Sequence, residues 1–179
     1  LGNGYLREKA LDDRIGCAIM IDMLNKDLPY DVTCVFTVQE EIGTRGAKVA
    51  AYTVKPDYAI VLETTTACDF AGNDGEKRVC ELGKGCVVSY MDRGTIYDRE
   101  LYHLGFEKAK EIGVPCQTKT LVAGGNDSGA IHTSVGGIRT VALSVPCRYL
   151  HSPSCMIKKS DVQSTATLAY AMYLALAEK

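Results

Sequence analysis

The chain is poor in several residue types, and each shortage narrows what it can be. It contains no tryptophan, three histidines and 7% aromatic residues in 179 positions. No apolar run reaches the roughly 18 residues of a membrane-spanning helix, and the first residues lack the pattern of a signal peptide. A formal net charge of −2 provides no basic surface for nucleic acid or anionic lipid. We therefore expect a cytoplasmic protein that binds neither nucleic acid nor membranes.

The eight cysteines show no CxxC spacing, which argues against a thiolate zinc site or a thioredoxin-like motif. Several of them, such as Cys17, Cys34 and Cys86, lie in apolar runs, where a free thiol behaves as a small hydrophobic group. A chain of this length can form a sizeable core without disulfides. We therefore predict one domain with reduced, structural cysteines.

Strand and helix patterns alternate along the chain. Helical patterns cover residues 13–26, 45–54, 98–112, 127–135 and 160–179, and strand patterns cover residues 32–38, 58–62, 86–90, 117–121 and 140–145. Such alternation predicts an α/β fold with a mainly parallel sheet and helices on both faces. In this architecture ligands bind at the carboxyl ends of the strands. Polar residues repeatedly follow the predicted strands, so we expect a functional site at that edge.

Two adjacent glutamates, Glu40 and Glu41, follow the predicted strand at residues 32–38 and precede a glycine turn. Neighbouring carboxylates repel each other, and burying unpaired charge is costly. A metal ion resolves this conflict when one carboxylate is its ligand and the other acts as a general base. The pair therefore predicts a metal-dependent hydrolase.

Four further residues can contribute to the same site. Asp12 and Asp13 precede the first predicted helix, where they either cap the helix or supply a carboxylate bridge between two metal ions. Glu63 follows the next predicted strand, either as a solvated loop charge or as a ligand. His151 follows the last predicted strand and is the best placed of the three histidines. Imidazole and carboxylate ligands together suit zinc, manganese or cobalt.

The glycine turn at residues 123–130 reads AGGNDSGA and matches neither GxxxxGK[ST] nor GxGxxG, so a nucleotide site has little support. Asp127 in this turn can orient a substrate or a ligand. Polar loops that carry glycine often hold functional residues, so residues 64–72 and 124–128 are candidate walls of a substrate pocket. We predict substrate binding by Asp127 and Gly125.

The chain resembles the glutamyl aminopeptidase or tetrahedral aminopeptidase family, metallopeptidase family 42, in five blocks: KALDDRIG, VQEEIGTRGA, LETTTACD, GGNDSGAIH and VPCRYLHSP. The blocks occur in the family order and cover nearly the whole chain. The resemblance implies a three-layer, zinc-peptidase-like domain with a mainly parallel mixed sheet, which removes the N-terminal residue from peptide substrates. It also implies two divalent metal ions (zinc, cobalt or manganese) and a full-length protein that is a homo-oligomer.

The resemblance further implies a role for each matching residue. Asp12 matches the aspartate that bridges the two metal ions, and Glu40 matches the general base that deprotonates the bridging water. Glu41 and His151 match ligands of one metal ion. Glu63 matches a ligand of the other, at a position where the family often has aspartate.

The chain also departs from the family pattern. The family has an early His-x-Asp motif, which supplies a histidine to the metal ion held by Glu63, and an inserted barrel-like domain used for dimerisation and higher assembly. Both precede KALDDRIG in the family, and neither is found before Asp12 in this sequence. We therefore expect residues 1–179 to be the C-terminal portion of a metallopeptidase catalytic domain, N-terminally truncated, with weak metal binding and little peptidase activity. Asn126, where the family more often has threonine, concerns substrate positioning.

Three other functions stay open. A non-catalytic assembly module would keep the fold without a complete metal site, which the absent histidine favours and the glutamate pair opposes. Another metal-dependent amidohydrolase or a carboxypeptidase is a further alternative. A carboxypeptidase needs a cation for the substrate's carboxylate, and nothing in the sequence places Arg45, Arg93 or Arg148 suitably. A glucanase needs only two carboxylates at a defined separation and would leave His151 without a role.

Overall fold

Strands and helices alternate along the computed structural model, which describes residues 2–179. The strands are β1 (Tyr5–Glu8), β2 (Tyr58–Thr66), β3 (Cys86–Val88), β4 (Cys116–Thr118), β5 (Arg139–Cys147) and β6 (Cys155–Lys158). The helices are α1 (Leu11–Leu24), α2 (Arg45–Val54), α3 (Arg99–Glu111), α4 (Ser128–Ile131) and α5 (Lys159–Ala177).

Four of the strands form a mixed sheet in the order β2–β5–β3–β4. The pairs β2–β5 and β3–β4 are parallel, whereas β3 and β5 run antiparallel. Strand β5 lies inside the sheet, and all of its residues after Arg139 are buried. Its largely apolar sequence is what a strand covered on both faces requires. Strands β1 and β6 pair antiparallel in a separate two-stranded sheet.

The main hydrophobic core lies between the mixed sheet and helices α1, α3 and α5. Alternate side chains of β5, from Val141, Leu143 and Val145, belong to this core. Ala142 belongs to a smaller cluster on the opposite face, where α4 contacts the sheet and α2 packs on α4. The predicted α/β fold, with a mixed sheet and helices on both faces, is confirmed.

Most predicted elements are present, with ends that differ by a few residues. The helix predicted at residues 98–112 is α3, and the strand predicted at residues 140–145 is the core of the longer β5. Strands β1 and β6 were not predicted. Each has four residues, too few for a recognisable alternation, and their partners lie at opposite ends of the sequence.

The predicted buried strand at residues 32–38 is wrong. Most of its side chains are exposed, including those of Phe36 at 45% and Val38 at 67%. The segment pairs with no strand among residues 2–179. β-Branched and aromatic residues favour a pleated, half-buried strand, but such a strand also needs a partner for its backbone and a layer that covers its side chains. The sequence pattern reports only the first of these requirements.

The exposed apolar side chains of residues 32–42 predict self-association, because exposed apolar surface promotes contacts between chains. We expect the weight-average sedimentation coefficient to rise with protein concentration. The double substitution Phe36→Ser/Val38→Thr should reduce that rise. Ile96→Thr, which alters a side chain 68% exposed elsewhere on the surface, is the matched control. A chain that sediments as a monomer at every concentration would contradict the prediction.

No helix within residues 2–179 combines the length and the apolar character needed to cross a membrane. All eight cysteines are free thiols, as predicted. Burial raises the pKa of Cys86 and of Cys147 to about 12. Both thiols are therefore protonated at neutral pH and pack as small apolar groups.

Candidate metal and catalytic site

The parallel pairing of β2 and β5 brings the predicted site residues to one edge of the sheet. Thr66 lies opposite Cys147 at the ends of these strands, and the Ala67 amide donates to the Cys147 carbonyl at 2.9 Å. His151 follows β5 in the loop that leads into β6. Glu63 was expected after the strand, but β2 extends to Thr66, so Glu63 lies within it.

Two groups of potential metal ligands meet at this edge and share Asp12. The first group consists of Asp12, Glu41 and His151, and the second consists of Asp12, Asp13 and Glu63. In each group the ligand atoms lie within 4.8 Å of one another. The structure therefore brings together all the predicted metal-binding residues, and their roles as ligands stay predictions.

The first group is the more accessible of the two. His151 Nε2 lies 3.1 Å from Asp12 Oδ2 and 3.3 Å from Glu41 Oε2. The side chains of His151 and Glu41 are 62% and 59% exposed, whereas that of Asp12 is 13% exposed. The first group is thus open to solvent through Glu41 and His151.

A glycine inside α1 makes room for Asp13. The Gly16 amide donates to Asp13 Oδ1 at 3.1 Å, and a Cβ at Gly16 would lie 2.1 Å from Asp13 Oδ2. Glycine in a helix costs about 1 kcal/mol relative to alanine, and this close contact accounts for its presence. The peptide bond between Asp12 and Asp13 is cis. Sequence reasoning missed Gly16, although a glycine within a helical pattern was an available signal.

A tight turn before α2 presents Glu40 and Glu41. The Thr44 amide donates to the Glu40 carbonyl at 2.9 Å, and the Gly46 amide donates to the Val38 carbonyl at 2.9 Å. A Cβ at Gly46 would lie 2.5 Å from that same Val38 oxygen. The first turn of α2 therefore packs directly on the backbone that precedes the glutamates, and glycine permits this approach.

Burial and mutual repulsion raise the proton affinity of the clustered carboxylates. Burial raises the pKa of Glu40 to about 7, and the negative charges of Asp127 and Glu41 act in the same direction. Burial also raises the pKa of Glu63 and of Asp13, and neighbouring carboxylates again contribute. The cluster therefore carries a stored electrostatic cost that a bound cation would offset.

Asp127 lies near Glu40, at the start of α4. It is 7% exposed, and the Thr37 hydroxyl donates to its Oδ2 at 2.6 Å. Its Oδ1 has no hydrogen-bond partner within residues 2–179. Burial raises the pKa of Asp127, and the bond from Thr37 opposes that shift. Gly125, the other predicted substrate-binding residue, is exposed in the same loop.

The donor set fits divalent metal ions. Carboxylate oxygens together with an imidazole nitrogen are ligands that zinc, cobalt and manganese all accept. The fit is better for the first group, which contains the imidazole of His151. The second group offers carboxylates alone. The two groups are therefore expected to differ in affinity for the same ion.

Comparison with known proteins identifies the family. The sequence profile of the M42 glutamyl aminopeptidase family matches residues 1–168. The chain belongs to this family. It is 36% identical to the lysyl aminopeptidase of Pyrococcus furiosus over 165 residues, which are 90% of this chain and 46% of that protein.

Solved structures of M42-type aminopeptidases match the fold. An aminopeptidase of the archaeon Desulfurococcus kamchatkensis superimposes with a TM-score of 0.91 and 31% identity, over 96% of this chain and 49% of that one. The TET1 peptidase of Pyrococcus horikoshii, which can assemble into a tetrahedron or a large octahedral shell, gives a TM-score of 0.81 and 31% identity over 99% and 51% of the two chains. The chain spans about half the length of the curated relatives it matches.

In this M42 chain an ion pair anchors the loop that carries His151. Arg148 Nε donates to Asp69 Oδ1 at 2.6 Å, and Arg148 Nη2 donates to Asp69 Oδ2 at 3.0 Å. The Leu82 amide also donates to Asp69 Oδ2, at 2.9 Å. The pair thus ties the end of β5 to the loop at residues 67–82. Because Arg148 is committed to Asp69, it is a poor candidate for the cation that a carboxypeptidase would need.

We expect Asp69→Asn to destabilise the chain by about 2 kcal/mol at pH 7, because it leaves Arg148 without its charged partner. This is below the cost for a fully buried pair, since the Arg148 side chain is 26% exposed while that of Asp69 is 4% exposed. Urea unfolding at pH 7 measures the effect. Asp74→Asn is the matched control, because its pair with Arg78 is exposed and should contribute little.

The stabilisation by Asp69 should also depend on pH. Burial raises the pKa of Asp69, but hydrogen bonds from Arg148 and from the Leu82 amide, together with the arginine charge, outweigh it and lower the pKa below the ordinary value. A lowered pKa in the folded chain means that the contribution is complete above the ordinary aspartate pKa and is lost as pH falls through the lowered value. The difference between the unsubstituted chain and Asp69→Asn should therefore shrink at acidic pH. A difference that grows on acidification would contradict the assignment.

Proposed function

We propose that this chain carries the metal-dependent catalytic site of an aminopeptidase that hydrolyses the N-terminal peptide bond of peptides. The observation that supports the proposal is the pair of ligand groups that share one carboxylate, Asp12. A shared carboxylate is the arrangement expected for two neighbouring ions in a hydrolase. The family membership and the names of the relatives are consistent with this activity.

Each residue of the two ligand groups has a proposed role in binding the ions. Asp12 would hold both ions, Glu41 and His151 would complete the first group, and Glu63 would complete the second, with Asp13 at its side. When bound, the ions would supply Lewis acidity toward a water molecule and the scissile carbonyl, and zinc, cobalt or manganese can all do so.

Glu40 is the proposed proton carrier. Its carboxylate, whose pKa burial raises to about 7 before an ion is bound, would accept a proton as a general base and return it as a general acid. Asp127, whose free Oδ1 is buried close by, and Gly125 would contact the N-terminal end of the substrate.

The second ligand group limits the activity that we expect from this chain by itself. It offers carboxylates without an imidazole, and carboxylates whose pKa is raised by burial must lose protons before they bind an ion. We therefore propose that the first group binds zinc or cobalt more tightly than the second. Turnover by the isolated chain is expected to be low.

We further propose that the full-length protein is a homo-oligomer. The Pyrococcus horikoshii TET1 peptidase, which this chain resembles in fold, can assemble into a tetrahedron or a large octahedral shell. A cytoplasmic location and an absence of nucleic-acid or membrane partners stay predictions from charge and composition.

The test combines metal analysis with hydrolysis. The purified chain is dialysed against zinc or cobalt, its metal content is measured, and it is offered a fluorogenic aminoacyl amide and the same compound with an acetylated amine. We expect up to two ions per chain, loss of the more tightly bound ion in Glu41→Ala, and cleavage of the free amine only. A chain that binds no metal, or that cleaves both compounds equally, would contradict the proposal. Metal binding without cleavage of either compound would favour a non-catalytic module.

A further inference from the structure

A chain of buried polar groups lies behind the loop at residues 124–128. The Tyr97 hydroxyl donates to Asp92 Oδ2 at 2.5 Å, and Asn126 Nδ2 donates to the Tyr97 oxygen at 3.1 Å. The Ser128 amide then donates to Asn126 Oδ1 at 2.8 Å. Asp92, Tyr97 and Asn126 are 2%, 3% and 8% exposed. These bonds therefore connect a carboxylate in the turn before α3 to the backbone next to Asp127.

Backbone contacts join the same two segments. The Arg93 amide donates to the Gly124 carbonyl at 2.9 Å. A Cβ at Gly94 would lie 3.6 Å from the Cα of Gly129, so the turn and the start of α4 pack closely. The Gly94 amide also donates to Asp92 Oδ1 at 2.8 Å. Both oxygens of the buried Asp92 carboxylate are thus satisfied, one within the turn and one through Tyr97.

These hydrogen bonds do more than satisfy buried polar atoms, because they join two separate segments of the chain. Burial raises the pKa of Tyr97, so the hydroxyl stays protonated and donates to Asp92. Its oxygen also accepts a hydrogen bond from the side chain of Asn126. The hydrogen bonds of Tyr97 therefore connect Asp92 to the loop at residues 124–128. Asp127, the residue between Asn126 and Ser128, has a buried Oδ1 without a hydrogen-bond partner in the described part of the chain, and its charge acts on Glu40.

We propose that Asp92, Tyr97 and Asn126 are positioning residues, which hold residues 124–128 so that Asp127 meets the amine end of a bound substrate. The inference rests on the proposed aminopeptidase function and adds residues that act through Asn126. Asn126 is thereby given a role that threonine, which has no amide nitrogen to donate to Tyr97, would fill differently.

The test measures ligand affinity and local protection in the same variants. The zinc-loaded chain is titrated with leucine hydroxamate, which carries a free amine, and amide hydrogen exchange is followed at residues 93 and 128. We expect Tyr97→Phe to weaken hydroxamate binding by about tenfold with little change in zinc affinity, because the loop loses its hydrogen-bonded support. Exchange at the Arg93 and Ser128 amides should accelerate.

Matched variants separate positioning from general destabilisation. Tyr102→Phe removes a hydroxyl on α3 that donates to Thr118 Oγ1 on β4 at 2.9 Å, outside the Asp92–Tyr97–Asn126 series, and should change neither readout. Asn126→Ala should weaken hydroxamate binding to a similar extent. The double variant Tyr97→Phe/Asn126→Ala should lose little more than either single variant, since both break the same connection.

The outcomes distinguish this inference from the proposed function. A zinc-loaded chain that does not bind the hydroxamate overturns the proposed function and the inference with it. A chain that binds the hydroxamate equally well before and after Tyr97→Phe overturns the inference alone, even if the variant melts at a lower temperature. Additive losses in the double variant would also count against a shared connection.

Discussion

Asp12→Ala is expected to remove both metal ions, the largest effect that a single ligand change can have on this chain. Asp12 is the one residue common to both ligand groups. Removing a carboxylate ligand weakens a metal site by more than the roughly 10- to 100-fold lost when a supporting residue is changed. Elemental analysis and titration with zinc or cobalt measure the loss. Glu41→Ala and Glu63→Ala should each remove only one ion, so the three variants form a graded series.

Asp22→Ala is the matched control for Asp12→Ala. Asp22 lies on the same helix, its side chain is 61% exposed, and it pairs with Lys26 at the surface. Its loss should leave the metal content unchanged. Retention of one tightly bound ion in Asp12→Ala would show that the two groups do not share this carboxylate.

The pH dependence of metal binding gives an independent check. Burial raises the pKa of Glu63 and of Asp13, so the second group is partly protonated near neutral pH. Binding an ion must then displace protons, and affinity should increase as pH rises. Affinity at the second group should rise more steeply with pH than affinity at the first group, where the Glu41 and His151 side chains are exposed to solvent. Equal pH dependence at both groups would contradict the assignment.

Local sequence patterns predicted the fold because helices and parallel strands have strong periodic signals. The alternation of elements was enough to place Glu63 and His151 at one edge of the sheet, since β2 and β5 run parallel. The same patterns failed at residues 32–38, where strand preference is high but no partner strand is present among residues 2–179. A pairing partner is a tertiary property, and a seven-residue pattern does not contain it.

The parts of the site that sequence reasoning missed are those that depend on close approach in three dimensions. Gly16 and Gly46 matter because a Cβ would collide with Asp13 Oδ2 and with the Val38 carbonyl. Thr37 matters because its hydroxyl meets Asp127, 90 positions later in the sequence. Spacing alone could not indicate either relation. By contrast, the adjacent acidic pairs could be recognised in the sequence itself. Neighbouring like charges repel each other in any fold, so such a pair indicates a functional site.

Glu40→Gln should lower the rate of hydrolysis by roughly 10²- to 10⁴-fold while the metal content stays unchanged. Glutamine keeps the size of the side chain and its place in the turn before α2, but it cannot accept a proton. Because Glu40 belongs to neither ligand group, the substitution should separate proton transfer from metal binding. Hydrolysis of the fluorogenic amide and metal analysis of the same sample measure the two effects.

Glu41→Gln, which alters the neighbouring residue, is the contrasting variant. It should lose both hydrolysis and the more tightly bound ion, because Glu41 belongs to the first ligand group.

The fall of the hydrolysis rate on the acidic side of its pH profile offers a further test. Burial and neighbouring negative charges raise the pKa of Glu40 to about 7 before an ion is bound, and bound cations would lower it. The rate should therefore fall as pH drops below neutrality, with a midpoint under 7 that disappears in Glu40→Gln. A Glu40→Gln chain with unchanged turnover would exclude Glu40 as the base and would leave Asp127 as the next carboxylate to test.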